Sequence, residues 1–243
     1  MRAVARGVVD GVARLAHEVE GLVGEPRAGG AVRGAGGPGG RAPWPAEVRD
    51  QVVALDRAIS AAIGATRTPT LDKVLVGLSE AANGSRVWLL TAAGVAMVGG
   101  RRGRRAAAEA VASIGLASAV SNLGLKSLAR RRRPTAGDVG VVESRRVRPT
   151  VTASFPSGHA ASAFAFASTM GDRVPVTWVP LHVVASLVAY ARVHTRVHYP
   201  SDVVAGALVG ALSGWSVRRA SGHFRPHLAG AATGGGPAHV SGS

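Results

Sequence analysis

Pro156, Ser157, Gly158 and His159 stand in a row at the mouth of an apolar run that begins at Ala160. A helix starting here would offer free backbone N–H groups and the positive end of its dipole, a setting that suits a phosphate. Gly158 lets the backbone approach an anion with no side chain in the way. The same residues also read as an ordinary helix start with Ser157 as the cap. Two further clusters hold side chains able to do chemistry. "KSLARRRRP" places Lys126, Arg133 and Pro134 at the end of an apolar segment, and "RVHTRVHYPSD" holds Arg192, His198 and Asp202. Pro200 favours a helix start between His198 and Asp202. The carboxylate can then accept the His198 Nδ1–H and leave Nε2 as a free lone pair. An arginine run alone is a common membrane flank, and a His–Asp pair alone is commonly structural. Brought together, the clusters supply three cations, a helix N-terminus, a nucleophile candidate and an acid candidate. That set suits phosphoryl transfer, which depends on positioning and charge stabilisation.

Helical segments must bring the clusters together. Glu47 to Ala65 and Thr70 to Ala82 have amphipathic spacing, with a break near Pro69. Val87 to Gly100 is apolar and is closed by "RRGRR", read as a short connecting loop. Ala106–Leu128, Gly158–Met170, Val174–Ala191 and Val203–Val217 follow. No segment alternates like a strand. The apolar segments are apolar all round, have arginines at their ends and are rich in small residues that permit close helix packing. Only Ala106–Leu128 comfortably reaches the length of about 20 residues that a straight crossing needs. The expectation is an all-α, multi-pass membrane bundle of about five transmembrane helices with N-terminal amphipathic helices. Alternation of the last four crossings puts all three clusters at one membrane face. The divisions are an N-terminal amphipathic helix or tail over 1–23, a Gly/Pro/Arg linker over 24–46, the membrane domain over 47–220 and a disordered tail over 221–243.

Composition narrows the chemistry. The chain of 243 residues has 29 Lys plus Arg against 14 Asp plus Glu, a formal net charge of +15. Such a charge suits nucleic acid, anionic lipid or a phosphate-bearing substrate alike. Aromatic residues are only 4%, which leaves no stacking platform for single-stranded nucleic acid, so no nucleic-acid partner is expected. The lack of cysteine excludes disulfides and thiolate chemistry. His223, His227 and His239 are irregularly spaced in a Gly-rich tail and do not suggest a metal site. The first residues carry charges throughout and do not resemble a cleavable signal peptide.

The pattern Lys-x6-Arg-Pro, Pro-Ser-Gly-His and Arg-x5-His-x3-Asp, in order from Lys126 to Asp202, resembles the type 2 phosphatidic acid phosphatase superfamily. That superfamily shares its site with vanadium haloperoxidases. Its usual serine before the third-motif arginine is Ala191 here. The resemblance implies that Lys126, Arg133 and Arg192 bind phosphoryl oxygens together with Ser157 and the Gly158 N–H. It implies that His198 attacks phosphorus, oriented by Asp202, and that His159 protonates the leaving group. Water then hydrolyses the phosphohistidine with His159 as base, without metal or cofactor. The implied substrates are lipid phosphates: phosphatidic acid, phosphatidylglycerol phosphate, polyprenyl phosphates or diphosphates, or decaprenyl-phosphoribose phosphate. A vanadate-dependent peroxidase would use the same residues in a soluble protein. A non-enzymatic anionic-lipid-binding protein would need neither histidine.

Other polar residues receive plainer readings. His182 is read as a satisfied interior histidine, Glu109 and Asn122 as packing residues, and Arg196 as a surface charge or a contact to a second phosphate. Arg130, Arg131 and Arg132 are read as solvated or lipid-facing, because the register from Lys126 and Pro134 selects Arg133. "RRGRR" in a short loop points inside by the positive-inside rule, which places the catalytic face outside the cell. Arginines in the N-terminal segment point the other way, but long segments obey the rule poorly.

Overall fold

The computed structural model describes residues 46–126, 131–134, 145, 147 and 153–223. The expectations for 1–23, for the linker up to residue 45 and for the tail beyond 223 lie outside these residues. Among the described residues there are seven α-helices and no strand. They are α1 (Ala46–Ala65), α2 (Pro69–Ala81), α3 (Arg86–Val98), α4 (Gly100–Ala119), α5 (Gly158–Arg173), α6 (Trp178–His194) and α7 (Pro200–His223). The helix of α4 runs on through a π-helical turn, Val120–Leu125.

Local chemistry sets the breaks. Pro69 occupies the start of α2, where its missing N–H costs nothing. Between α3 and α4 the chain reverses at Gly99 and Gly100, and Gly100 has φ +57. A Cβ on Gly103 would lie 2.4 Å from the Val95 carbonyl oxygen, so this hairpin needs glycine. Arg101, Arg102, Arg104 and Arg105 therefore ride on the first turns of α4, and the connecting loop expected over "RRGRR" is a helix start instead.

Helix α5 is the centre of the bundle, packed by α4, α6 and α7. Ala160, Ala161, Ala163, Ala165, Phe166, Ala167 and Met170 are all fully buried. Trp88 of α3 packs on Phe166 with ring centroids 5.4 Å apart. Along α7, Gly206, Gly210 and Gly214 lie against the α5 backbone. A Cβ would come within 2.4 Å of the Ser157 carbonyl at Gly206 and 2.3 Å of the Ala161 carbonyl at Gly210. Four-residue spacing puts the three glycines on one helix face, so the two backbones touch directly. At the end away from Lys126, Glu109 joins α4 to α5 by accepting from Arg105 (2.8 Å) and from Arg173.

Among the described residues, two helical stretches are long and apolar enough to cross a membrane, Gly100–Leu125 and Pro175–His194. Five were expected. The difference has a physical cause in the two shortest candidates. Helix α3 has 13 residues, roughly 20 Å at 1.5 Å per residue. Helix α5 is enclosed by its neighbours and can be rich in small and polar residues. The outer faces are apolar nonetheless: Leu90, Met97 and Val98 of α3, Val179 and Val183 of α6, and Val204 and Trp215 of α7 are exposed.

Candidate active site

The "PSGH" segment is a capped helix start. Ser157 is extended (φ −70, ψ 109) and its Oγ accepts from the Ala160 N–H, while Gly158 opens α5. The Ser157 N–H donates to the Asp202 carbonyl (2.9 Å), which ties the start of α5 to the start of α7. Lys126 reaches the same place from the end of the π-helical turn. Its Nζ donates to Asn122 Oδ1 (2.9 Å) and lies 3.7 Å from where a Gly158 Cβ would stand.

Two arginines and a histidine close the site from the other side. Arg133 Nη1 donates to the Val197 carbonyl (2.6 Å) and lies 3.4 Å from His198 Nε2. Arg192, in the last turn of α6, is buried and donates from Nη1 to Ser79 Oγ (2.6 Å). The N–H groups of Val197 and His198 both donate to the Arg192 carbonyl (3.2 Å each), so the loop to α7 curls round that helix end. Arg196 in this loop takes φ +58, an uncommon left-handed conformation for a residue with a side chain. His159 Nε2 donates to Asn83 Oδ1 (2.9 Å) in the turn before α3. The His159 ring stands near Arg192, Lys126, Arg133 and the His198 ring. The eight residues singled out in the sequence thus lie around one end of the bundle.

The His198 ring lies between opposite charges. Its Nδ1 is 3.6 Å from Asp202 Oδ2, an ion-pair distance longer than a hydrogen bond. That oxygen already accepts from the Tyr199 N–H (2.9 Å) and from the Ser154 hydroxyl. Burial pushes the His198 imidazole down to about 4, against the upward pull of Asp202. The ring is therefore neutral near pH 7. The Asp202 carboxylate accepts from the Arg131 guanidinium (2.8 Å) and from the Ser154 hydroxyl. Burial lowers Arg133.

Several expectations need correction. Arg131 is neither solvated nor lipid-facing. It is buried and donates to Asp202 Oδ1 and to Asp56 Oδ2, each at 2.8 Å. Arg132 is exposed, as expected, and Arg130 lies outside the described residues. His182 is half-buried on the outer face of α6, where it stacks on Trp178 and donates from Nδ1 to the Trp178 carbonyl (2.8 Å). His194 is fully buried and donates to Asp72 Oδ1 (2.8 Å), which also accepts from Arg145 Nε (2.9 Å). Asn122 holds Lys126 rather than a neighbouring helix. Sequence reading missed Asp56, Ser79 and Asn83, which lie far from the motifs in the chain. The only available signal was that the amphipathic helices at Glu47–Ala65 and Thr70–Ala82 carry polar residues within their patterns.

Comparison with known proteins places this arrangement. A family model described as the PAP2 superfamily matches residues 106–225. The chain is 38% identical over 139 residues to the decaprenylphosphoryl-5-phosphoribose phosphatase of Mycobacterium tuberculosis, covering 57% of this chain and 73% of that protein. It is 33% identical over 111 residues to the lipid A 4'-phosphatase of Bacteroides thetaiotaomicron, covering 42% and 48%. It spans less than half the length of the lipid A phosphatases it matches. Its fold is similar to that of the transmembrane PAP2-type phosphatidylglycerolphosphate phosphatase of Bacillus subtilis. That match has a TM-score of 0.56 at 23% identity, over 72% of this chain and 89% of the other.

Proposed function

This chain belongs to the PAP2 superfamily, and on that premise we propose that it is an integral-membrane lipid phosphatase acting through a phosphohistidine. The observation that carries the reading is the place of the His198 ring, with Nε2 3.4 Å from the Arg133 guanidinium at the same end as the α5 N-terminus. A phosphoryl group bound there meets Lys126, Arg133, Arg192, the Ser157 hydroxyl and the Gly158 N–H. Nε2 attacks phosphorus in line as the bond to the leaving oxygen breaks, and that oxygen takes its proton from His159. Water then attacks the phosphohistidine, giving a proton to His159 and releasing phosphate and free His198. Asp202 holds the Nδ1 side of the ring throughout. Three cations and a helix end oppose the developing charge, work that a divalent cation does in other phosphoryl-transfer sites, and the reaction runs without metal.

The substrate is a lipid phosphate whose head group reaches the catalytic end while its chains stay in the bilayer. The exposed apolar faces of α3, α6 and α7 support five crossings, α3 to α7, and the arginines at the start of α4 favour the catalytic end outside the cell. Within this class a polyprenyl-linked phosphosugar is favoured, because the decaprenylphosphoryl-5-phosphoribose phosphatase aligns over 139 residues at 38% identity, against 111 residues at 33% for the lipid A 4'-phosphatase. The test is phosphate release by the full-length protein in detergent over phosphatidic acid, phosphatidylglycerol phosphate, polyprenyl mono- and diphosphates and decaprenylphosphoryl-5-phosphoribose. Release from at least one, lost in His198→Ala, is expected. Turnover retained in His198→Ala refutes the assigned nucleophile, and no release from any member refutes the function.

A further inference from the structure

We propose that Asp56, on a helix outside the family-matched segment, is a positioning residue that acts through Arg131 on Asp202 and so on the His198 ring. The inference rests on reading His198 as the nucleophile. Arg131 spans two carboxylates: Nη1 donates to Asp202 Oδ1 and Nη2 to Asp56 Oδ2, both at 2.8 Å. The three side chains are 2%, 4% and 0% exposed for Arg131, Asp56 and Asp202. The cluster is locked from several sides. Asp56 Oδ1 accepts from the Ser201 N–H (2.9 Å), and Oδ2 accepts from the Ser201 hydroxyl. Arg131 Nη1 also reaches Ser201 Oγ (2.9 Å), and its guanidinium lies 4.3 Å from the centre of the Tyr199 ring. The Arg131 carbonyl accepts from the Ser154 N–H (2.9 Å), whose hydroxyl donates to Asp202.

Charge arithmetic gives Asp56 its role. One guanidinium shared by two carboxylates leaves the cluster with a net negative charge beside His198 Nδ1. Arg133 and Arg192 bring positive charge to the ring from the other direction. The ring thus carries its proton at Nδ1 and its lone pair at Nε2, the tautomer that nucleophilic attack requires. Without Asp56 the guanidinium would pair with Asp202 alone, cancel its charge and loosen its hold on Nδ1–H. The groups facing His198 are Asp202 of α7, Arg133, Arg192 of α6 and His159 of α5. Asp56 reaches it only through Arg131 and Asp202.

The test compares wild type, Asp56→Asn, Arg131→Gln and the double variant, all full-length in detergent micelles. The His198 titration midpoint is read by 15N NMR of histidine-labelled protein, with His198→Ala identifying the signal. Kinetics use phosphatidic acid and a polyprenyl diphosphate as probes. Asp56→Asn is expected to lower the midpoint by about half a unit or more, and Arg131→Gln to raise it. Arg131→Gln leaves two buried carboxylates without their cation and risks misfolding. The double variant keeps the net charge of the cluster and carries the same test with a midpoint near wild type. Asp56→Asn should also lower kcat on the order of tenfold with KM unchanged, since Asp56 touches no phosphate ligand. Equal midpoints in wild type, Asp56→Asn and Arg131→Gln overturn the inference, as does a rise in KM with kcat intact. An inactive wild type would refute the phosphatase reading while the NMR comparison still decides whether Asp56 is coupled to His198.

Discussion

The catalytic end and the α5–α7 seam are two buried regions of one bundle, held together by different forces. At the catalytic end Asp56, Arg131, Asp202, Arg192 and His198 are buried with charges or hydrogen bonds to balance them. Along the seam Gly206, Gly210 and Gly214 carry no side chain, and backbone rests on backbone. The regions meet where the Ser157 carbonyl lies against Gly206 while the Ser157 N–H bonds the Asp202 carbonyl. The seam sets where the start of α5 sits, and the charged cluster sets what the groups around it can do. Altering the cluster should change chemistry more than fold, and altering the seam should change both.

Substitutions can break or sharpen that contrast. The largest expected effect is in His198→Ala, where phosphate release should fall more than roughly a thousandfold, with the gel-filtration profile in detergent unchanged. Next is Gly210→Leu. Its Cβ would stand 2.3 Å from the Ala161 carbonyl, and overpacking of this kind costs about 1–3 kcal/mol or more. The detergent Tm and the activity should fall together, and an unchanged Tm would show that the seam is not tight.

Acid should destabilise the cluster in a defined window. The His198 imidazole sits at about 4 when folded, below its ordinary value of about 6.5 in an unfolded chain. The unfolded chain therefore binds a proton first. Stability is fully present above about pH 6.5 and is lost as pH falls towards about 4, by on the order of 3 kcal/mol. The Tm–pH profile of wild type should be steeper through this window than that of His198→Ala. A smaller effect is expected from Ser79→Ala, which removes the hydroxyl that Arg192 bonds. The loss of about 1 kcal/mol should appear as a rise of about fivefold in KM, measured by initial rates. Smallest of all, EDTA should leave turnover unchanged, while vanadate at the phosphate site inhibits. Strong metal dependence would contradict the cationic site.

Much of this was legible in the sequence, for a clear reason. Lys126, Ser157, His159, Arg192 and Asp202 sit at helix ends, and His198 lies in the short link between α6 and α7, where spacing along the chain translates directly into position. The helix break at Pro69 and the helices around it were readable from periodicity. Arg131 was misread because four consecutive arginines look alike in sequence, and only the fold tells which one turns inward. Asp56, Ser79 and Asn83 were invisible because their partners lie 75, 113 and 76 residues away. No local pattern links them. The glycines at 206, 210 and 214 were in plain view, but their meaning depends on a neighbour's carbonyls.

The π-helical turn Val120–Leu125 sets the phase of Lys126. One surplus residue in a helix rotates everything beyond it by about 100°. Deleting Leu123, which points outward, would straighten the turn and swing the lysine away from Asn122 and the start of α5.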